Sequence, residues 1–186
     1  MPICFDLKEV FDKYKTNIYF ETGLWNVDNE TSLTQALKLP FDKFCSVDIS
    51  QCHIAKAQDK FKSLIKDNKL KLFLGDSINL SKYLEDLSPT LDDRILFFLD
   101  SHGGERNGTR CPLMEELEAI KNLERKDHII MIDDIRIIRT CIWSDNRYIS
   151  NVFEKQLKDK ILEINSNYQF TYLKGVVDDD VLIAFI

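Results

Sequence analysis

Short, continuously apolar runs alternate with amphipathic stretches along this chain. The runs are Asn17–Glu21, Phe44–Asp48, Leu70–Leu74, Arg94–Asp100 and His128–Asp133. Unbroken apolar character, rather than strict in-out alternation, is what a parallel strand covered by helices on both faces shows. Between the runs, Ser50 stands as a cap before a stripe of Ile54, Ala57, Phe61 and Leu64, and Pro112 precedes a stripe of Leu113, Leu117 and Ile120. A third helical pattern covers Glu154 to Ile164, with Phe153, Leu157, Ile161 and Ile164 on one side. Two further β-rich runs, Tyr168–Lys174 and Val181–Ile186, are joined across Gly175 and an acidic bend with no room for a helix. They predict an antiparallel hairpin. Taken in order, the elements predict an α/β fold: a doubly wound, Rossmann-like sheet, mostly parallel, with a C-terminal antiparallel β-hairpin.

No repeat, low-complexity tract or Pro/Gly/Ser-rich linker divides the 186 residues, and a hydrophobic content of 44% supports one core. The expectation is a single domain over 1–186, with an N-terminal helical segment at 1–16 and the core at 17–186. With 31 acidic against 25 basic residues the net charge is −6, which builds in no long-range attraction to nucleic acid or to an anionic membrane. The apolar runs are far shorter than the roughly 20 residues that cross a bilayer. The start, Met1-Pro2-Ile3-Cys4-Phe5-Asp6, lacks the basic and long apolar regions of a signal peptide. A soluble, unexported, cytoplasmic protein is therefore expected. The five cysteines (Cys4, Cys45, Cys52, Cys111, Cys141) contain no C-x-x-C pair, fit neither a disulfide framework nor a thiolate zinc site, and suit a reducing compartment.

In an open parallel sheet, ligands collect at the carboxyl ends of the strands. Here those ends are acidic: Glu21-Thr22-Gly23, Asp48, Gly75-Asp76-Ser77, Asp100-Ser101-His102 and Asp133-Asp134. Gly23 permits close approach of a ligand. Asp48, 25 residues further on, stands near the position where an acid takes the ribose hydroxyls of an adenosine cofactor. Leu24-Trp25-Asn26-Val27-Asp28-Asn29 supplies no further glycine for a G-x-G-x-x-G loop, and no phosphate-binding G-x-x-x-x-G-K-[ST] exists. A nucleoside cofactor without a pyrophosphate fits these absences, and S-adenosylmethionine is the common one. Asp100, Asp133 and Asp134, from the ends of neighbouring strands, would repel one another unless protonated or bridged by a cation. Oxygen-only ligands suit Mg²⁺ or Mn²⁺. The alternative is that one of these acids caps the next helix.

The segments Glu21-Thr22-Gly23-Leu24-Trp25, Ser46-Val47-Asp48-Ile49, Leu74-Gly75-Asp76-Ser77, Phe98-Leu99-Asp100-Ser101-His102-Gly103-Gly104, Cys111–Ile120 and Ile132-Asp133-Asp134 resemble the class I S-adenosylmethionine-dependent methyltransferases. More narrowly, they are similar to the metal-dependent, macrocin-type sugar O-methyltransferases and related glycan-modifying proteins of bacteria and large DNA viruses. The resemblance covers residues 17–186 and departs from the family in the glycine-poor loop after Trp25. It implies that Glu21 and Gly23 face the methionine side of the cofactor, Asp48 its ribose, and Asp76 and Ser77 its adenine, with Thr22, Leu24, Trp25 and Ile49 also binding the cofactor. It also implies that Asp100 serves cofactor and metal together, with Asp133 and Asp134 completing the metal site. His102, just past Asp100, is implied as the general base for a sugar hydroxyl, a role its ordinary pKa near ~6.5 suits.

Other features carry plainer readings. Asp178-Asp179-Asp180 reads as a solvated hairpin turn. The acids of Glu115-Glu116-Leu117-Glu118 favour the dipole of a helix start. Arg106, Arg110, Arg136 and Arg139 suit either an acidic acceptor or the surface, and Trp143 and Tyr148 either a sugar ring or the core. The expected partner is a small-molecule or glycan acceptor; self-association is left open. Two other functions stay open beside the leading one. One is a metal-independent methyltransferase acting on a small molecule or protein, and the other is a catalytically silent module that binds S-adenosylmethionine.

Overall fold

The computed structural model describes residues 3–102, 111–140 and 150–186. One sheet of seven strands runs through it: β1 (Ile18–Thr22), β2 (Lys43–Asp48), β3 (Leu70–Leu74), β4 (Ile95–Leu99), β5 (Ile129–Ile132), β6 (Gln169–Leu173) and β7 (Val181–Phe185). The spatial order is β3-β2-β1-β4-β5-β7-β6. The first five strands are parallel, and β7 runs antiparallel to both β5 and β6. Each strand lies within one residue, at either end, of the run expected for it. The doubly wound sheet with its terminal hairpin is the architecture the alternation of runs predicts.

Successive strand residues face two different cores. Ile18, Phe20, Val47, Phe97, Leu99, Ile130 and Ile132 pack against α5 (Leu80–Leu87), α6 (Leu113–Lys121) and α8 (Ser150–Ile164). Tyr19, Phe44, Leu96, Phe98, Ile129 and Met131 pack against α1 (Leu7–Tyr14), α2 (Ser32–Ala36) and α3 (Gln51–Lys60). Every residue of β1, β4 and β5 is buried, which is why these runs read as continuously apolar. The Ser50 side chain accepts from the His53 N–H at 3.3 Å and starts α3 as expected. The helix ends at Lys60, Phe61 leaves helical geometry, and α4 (Lys62–Lys66) resumes. Phe61 and Leu64 consequently sit only partly buried at the margin of the core. Among the described residues no helix is long and apolar enough to cross a membrane.

β1 lies between β2 and β4, so the chain leaves it toward opposite halves of the sheet. Such a switch point, here at the carboxyl ends of β1 and β4, is where an open parallel sheet takes its ligands. The antiparallel β7 has a separate consequence. It begins where its neighbour β5 ends, so the residues just before β7 arrive at the same edge as the ends of the parallel strands.

Candidate active site

Gly23 follows β1 with φ +94°. A Cβ here would lie 2.4 Å from the Asp100 carbonyl oxygen, so the glycine is needed because the first loop rests on the backbone leaving β4. That packing, rather than a ligand alone, accounts for the residue. Gly23→Ala is expected to lower stability by about 1–3 kcal/mol, read by urea unfolding.

Beneath this loop Glu21 is wholly enclosed. Tyr19 shares its face of β1, and Ser46 is its register partner on β2. Glu21 Oε2 accepts from Tyr19 Oη at 3.0 Å and from Ser32 Oγ at 2.5 Å, while Oε1 accepts from Ser46 Oγ at 2.7 Å. Burial pushes the carboxyl up to about 7 even though these hydroxyls favour its charge. Glu21 therefore ties β1 to β2 and to the first residue of α2 from inside the fold. Thr22 and Leu24 are also buried, and Trp25, at φ 61° and 54% exposed, is the large side chain this loop presents outward.

Asp48 closes β2 and is tied to three donors. Its Oδ2 accepts from the Trp25 N–H at 2.9 Å and lies 3.2 Å from His53 Nδ1, and its Oδ1 accepts from the Ser50 N–H at 2.7 Å. A carboxylate offers about four acceptor positions, so one remains for a ligand hydroxyl before any of these bonds must yield. Beside it, Leu74 is the register partner of Asp48 on β3, and both Leu74 and Ile49 are exposed. Asp76 caps a 3-10 turn at Ser77–Asn79 by accepting from the Ile78 N–H at 3.0 Å. Ser77 Oγ lies 2.8 Å from Ser101 Oγ, which donates to Glu116 Oε1 at 2.8 Å.

Glu116 corrects the plain reading of its helix. It does lie in the first turn of α6, but it is completely buried, and burial pushes it up to about 7. The signal was present, since Glu116 falls between Leu113 and Ile120 on the apolar stripe itself.

On the other side of the switch point Asp100 follows β4 and Asp133 follows β5, with the Asp133 N–H bonded to the Leu99 carbonyl at 3.1 Å. Burial first, and then the charge of Asp133, holds the Asp100 carboxyl well above the usual range. Burial brings Asp133 to about 6. Asp134 follows at φ 54°, donating its N–H to Asp133 Oδ1 at 2.7 Å. Adjacent strand residues point to opposite faces, and this left-handed turn is how both acids reach one side.

The oxygen cluster includes a residue that the sequence reading placed in solvent. One oxygen each of Asp133, Asp134 and Asp180 lies within 4.8 Å of the others, whereas Asp100 stands outside that grouping. Asp178 and Asp179 are exposed, but Asp180 is wholly buried at the head of β7. Its carbonyl accepts from the Ile135 N–H at 2.8 Å, locking the hairpin to the start of α7 (Ile135–Thr140). His102 is also buried, with Nε2 2.9 Å from the Asp133 carbonyl oxygen. Burial lowers its pKa.

Arg136 and Arg139 are engaged within the fold. Arg136 pairs with Asp134 and Asp180, while Arg139 pairs with Glu154 at 2.7 Å and lies over the Tyr172 ring. His128 stands at the opposite edge, its Nδ1 accepting from the Ile95 N–H at 3.1 Å. The glycine loop 103–108 with Arg106, together with Arg110, Cys141, Trp143 and Tyr148, lies outside the described residues.

No protein-family model matches the sequence, and no curated protein matches it. Solved structures do. The O-methyltransferase TomG of Streptomyces achromogenes, involved in tomaymycin synthesis and seen with S-adenosylmethionine, superposes with a TM-score of 0.62 at 11% identity, over 97% of this chain and 77% of its own. An O-methyltransferase of Bacillus cereus in complex with S-adenosylhomocysteine gives 0.59 at 14% identity, over 97% and 78%. The S-adenosylhomocysteine-bound methyltransferase PaMTH1 of Podospora anserina gives 0.55 at 15% identity, over 96% and 75%. The chain thus has the class I methyltransferase fold.

Proposed function

We propose that the chain is an S-adenosylmethionine-dependent O-methyltransferase that acts on a sugar hydroxyl with the help of a divalent cation. The observation that carries this reading is the division of labour across the switch point. Over β1, β2 and β3 stand Asp48 and the exposed apolar side chains Trp25, Ile49 and Leu74. Over β4, β5 and the head of β7 stand Asp100, Asp133, Asp134 and Asp180. Apolar walls beside a carboxylate with an acceptor position left for a ligand hydroxyl suit an adenosine, and the second half suits a cation with the acceptor. The solved O-methyltransferases of the same fold support the activity; the sugar comes from the resemblance in the motifs.

S-adenosylmethionine would supply the methyl group on a positively charged sulfur, open to in-line attack by an oxygen. Asp48 would accept from the ribose, Asp76 and Ser77 would border the adenine, and the Gly23–Trp25 loop would meet the methionine end. For the cation, an all-carboxylate donor set fits Mg²⁺ or Mn²⁺, with the clustered Asp133 and Asp134 as the residues that would hold it and Asp100, outside that cluster, joining them only once its side chain turns toward the ion. There it would orient the acceptor hydroxyl and lower its pKa. His102 would take the proton. Nε2 donates to the Asp133 carbonyl, which leaves Nδ1 as the basic nitrogen, and burial favours the neutral ring.

Titration calorimetry with S-adenosylhomocysteine tests the cofactor half. Asp48→Ala should weaken binding by about 1–3 kcal/mol, the cost of leaving buried donors without their charged acceptor. Binding by neither the unmutated protein nor the variant would end the reading. One observation favours a metal-independent variant of it: Arg136 already brings a positive charge to Asp134 and Asp180. Turnover that persists in a strong chelator would select that version, and loss of turnover restored by Mg²⁺ or Mn²⁺ would select the cation.

A further inference from the structure

Arg136, in the first turn of α7, reaches two acids at once. Its Nη1 lies 2.7 Å from Asp134 Oδ1 and also pairs with Asp180 Oδ2. The two acids are held very differently. Asp180 is wholly buried and both of its carboxylate oxygens are engaged: Oδ1 accepts from the Arg136 backbone N–H at 3.1 Å, and Oδ2 accepts from the Val176 N–H at 3.0 Å as well as from the guanidinium. Gly175 lets the hairpin come this close, since a Cβ there would lie 2.8 Å from Asp180 Oδ2. Asp134 Oδ1, by contrast, meets Nη1 as a charge contact without an aligned hydrogen bond. Asp133 has no contact with Arg136 among those of the described side chains, yet its oxygen belongs to the same cluster. One guanidinium therefore stands in for the counter-charge of three carboxylates, tied to Asp180 by aligned hydrogen bonds from its backbone and side chain and to Asp134 by a close charge contact alone.

We propose that Arg136 is the resident counter-cation of this acid pocket, and that a divalent cation enters by displacing it from Asp134 while Asp180 keeps hold of it. The proposal rests on the cation reading above. Asp180 is then an anchor for Arg136 and not a metal ligand, because none of its bonds needs to break. Asp134 is the ligand that changes partner. Two like charges cannot share one carboxylate oxygen without strong repulsion, even at the screening found near a protein surface. The arginine lets the pocket fold without metal and keeps metal binding weak and exchangeable. Arg136 is in this sense a positioning residue that sets cation affinity.

The test is titration with Mn²⁺ alone, counting free ion by electron paramagnetic resonance, for the unmutated protein and for Arg136→Gln. Removing the competing charge should tighten Mn²⁺ binding by about tenfold or more. Because Arg136→Gln exposes the acids to one another and risks misfolding, a second measurement uses the unmutated protein. On titration with diamagnetic Mg²⁺, the side-chain nitrogen resonances of Arg136 should shift in step with occupancy. Equal Mn²⁺ affinity in a folded variant, or Arg136 resonances that stay still as Mg²⁺ saturates the protein, overturns the displacement and leaves the cation reading standing. No Mn²⁺ bound by either protein removes the cation reading itself, and the displacement falls with it.

Discussion

His102→Ala should lower the rate of methyl transfer by roughly 10²–10⁴-fold, the usual contribution of a general base, while S-adenosylhomocysteine binding stays nearly unchanged. An alcohol is a poor nucleophile at neutral pH, so its proton must leave as the methyl arrives. The structure gives the imidazole what that task requires, a fixed tautomer through the Asp133 carbonyl and a burial that disfavours the charged form. The base form is the active one, so the acid limb of the pH–rate profile should lie below the ordinary histidine range, in the direction burial pushes it. His102→Gln keeps a hydrogen-bonding group of related reach without useful basicity, and it should be as slow as the alanine variant. Single-turnover rates on a sugar acceptor decide the matter. Near-normal transfer in both variants would return the proton to solvent or to a carboxylate, and would leave His102 as a support for the β5 end.

The sheet was legible because burial on both faces writes itself into β1, β4 and β5 as unbroken apolar runs, and because the hairpin leaves no room for a helix between Lys174 and Val181. Short helices were not. α2 spans five residues and is announced by the Thr31–Thr34 capping box rather than by a stripe. α5 does carry a stripe, Leu80, Tyr83, Leu84 and Leu87, and could have been read from it. At the switch point, the acids that end parallel strands were found because strand ends are where ligands of such sheets collect. Asp180 escaped that rule: it precedes an antiparallel strand, so a residue at a strand's beginning arrives at the edge where its neighbours finish. Three adjacent aspartates in an acidic bend looked like solvent, and composition could not separate exposed Asp178 and Asp179 from buried Asp180. Glu21 was found at its place but not in its geometry. Its three hydroxyl partners come from β1, α2 and β2, and only the register of Glu21 with Ser46 and the placement of α2 bring them together.

That buried carboxyl leads to the second large effect, on stability. Glu21 and Glu116 are each pushed from an ordinary 4.5 up to about 7 by burial. In the folded state they keep protons that the unfolded chain has already released. Their contribution is therefore full below pH ~4.5 and is lost as the pH climbs toward and past 7, by roughly 3 kcal/mol for each group. His128 works in the opposite direction, since burial lowers it to about 4 and the unfolded chain gains a proton first as the pH falls below ~6.5. The two tendencies separate in a mutant comparison, where the His128 part cancels. Glu21→Gln keeps the shape and cannot ionise. Its amide carbonyl can accept from Tyr19 and Ser32, while its NH₂ donates to the Ser46 hydroxyl, which rotates to receive it. Urea unfolding at pH 5 and pH 8, in metal-free buffer, should therefore show the variant gaining on the unmutated protein by roughly 2.5 kcal/mol between the two conditions, since pH 5 already lies above the unfolded value. Parallel stability curves would mean that Glu21 is already charged at pH 5. Its hydroxyl cage would then outweigh its burial, and Glu21 would tie β1 to β2 and α2 as a carboxylate throughout.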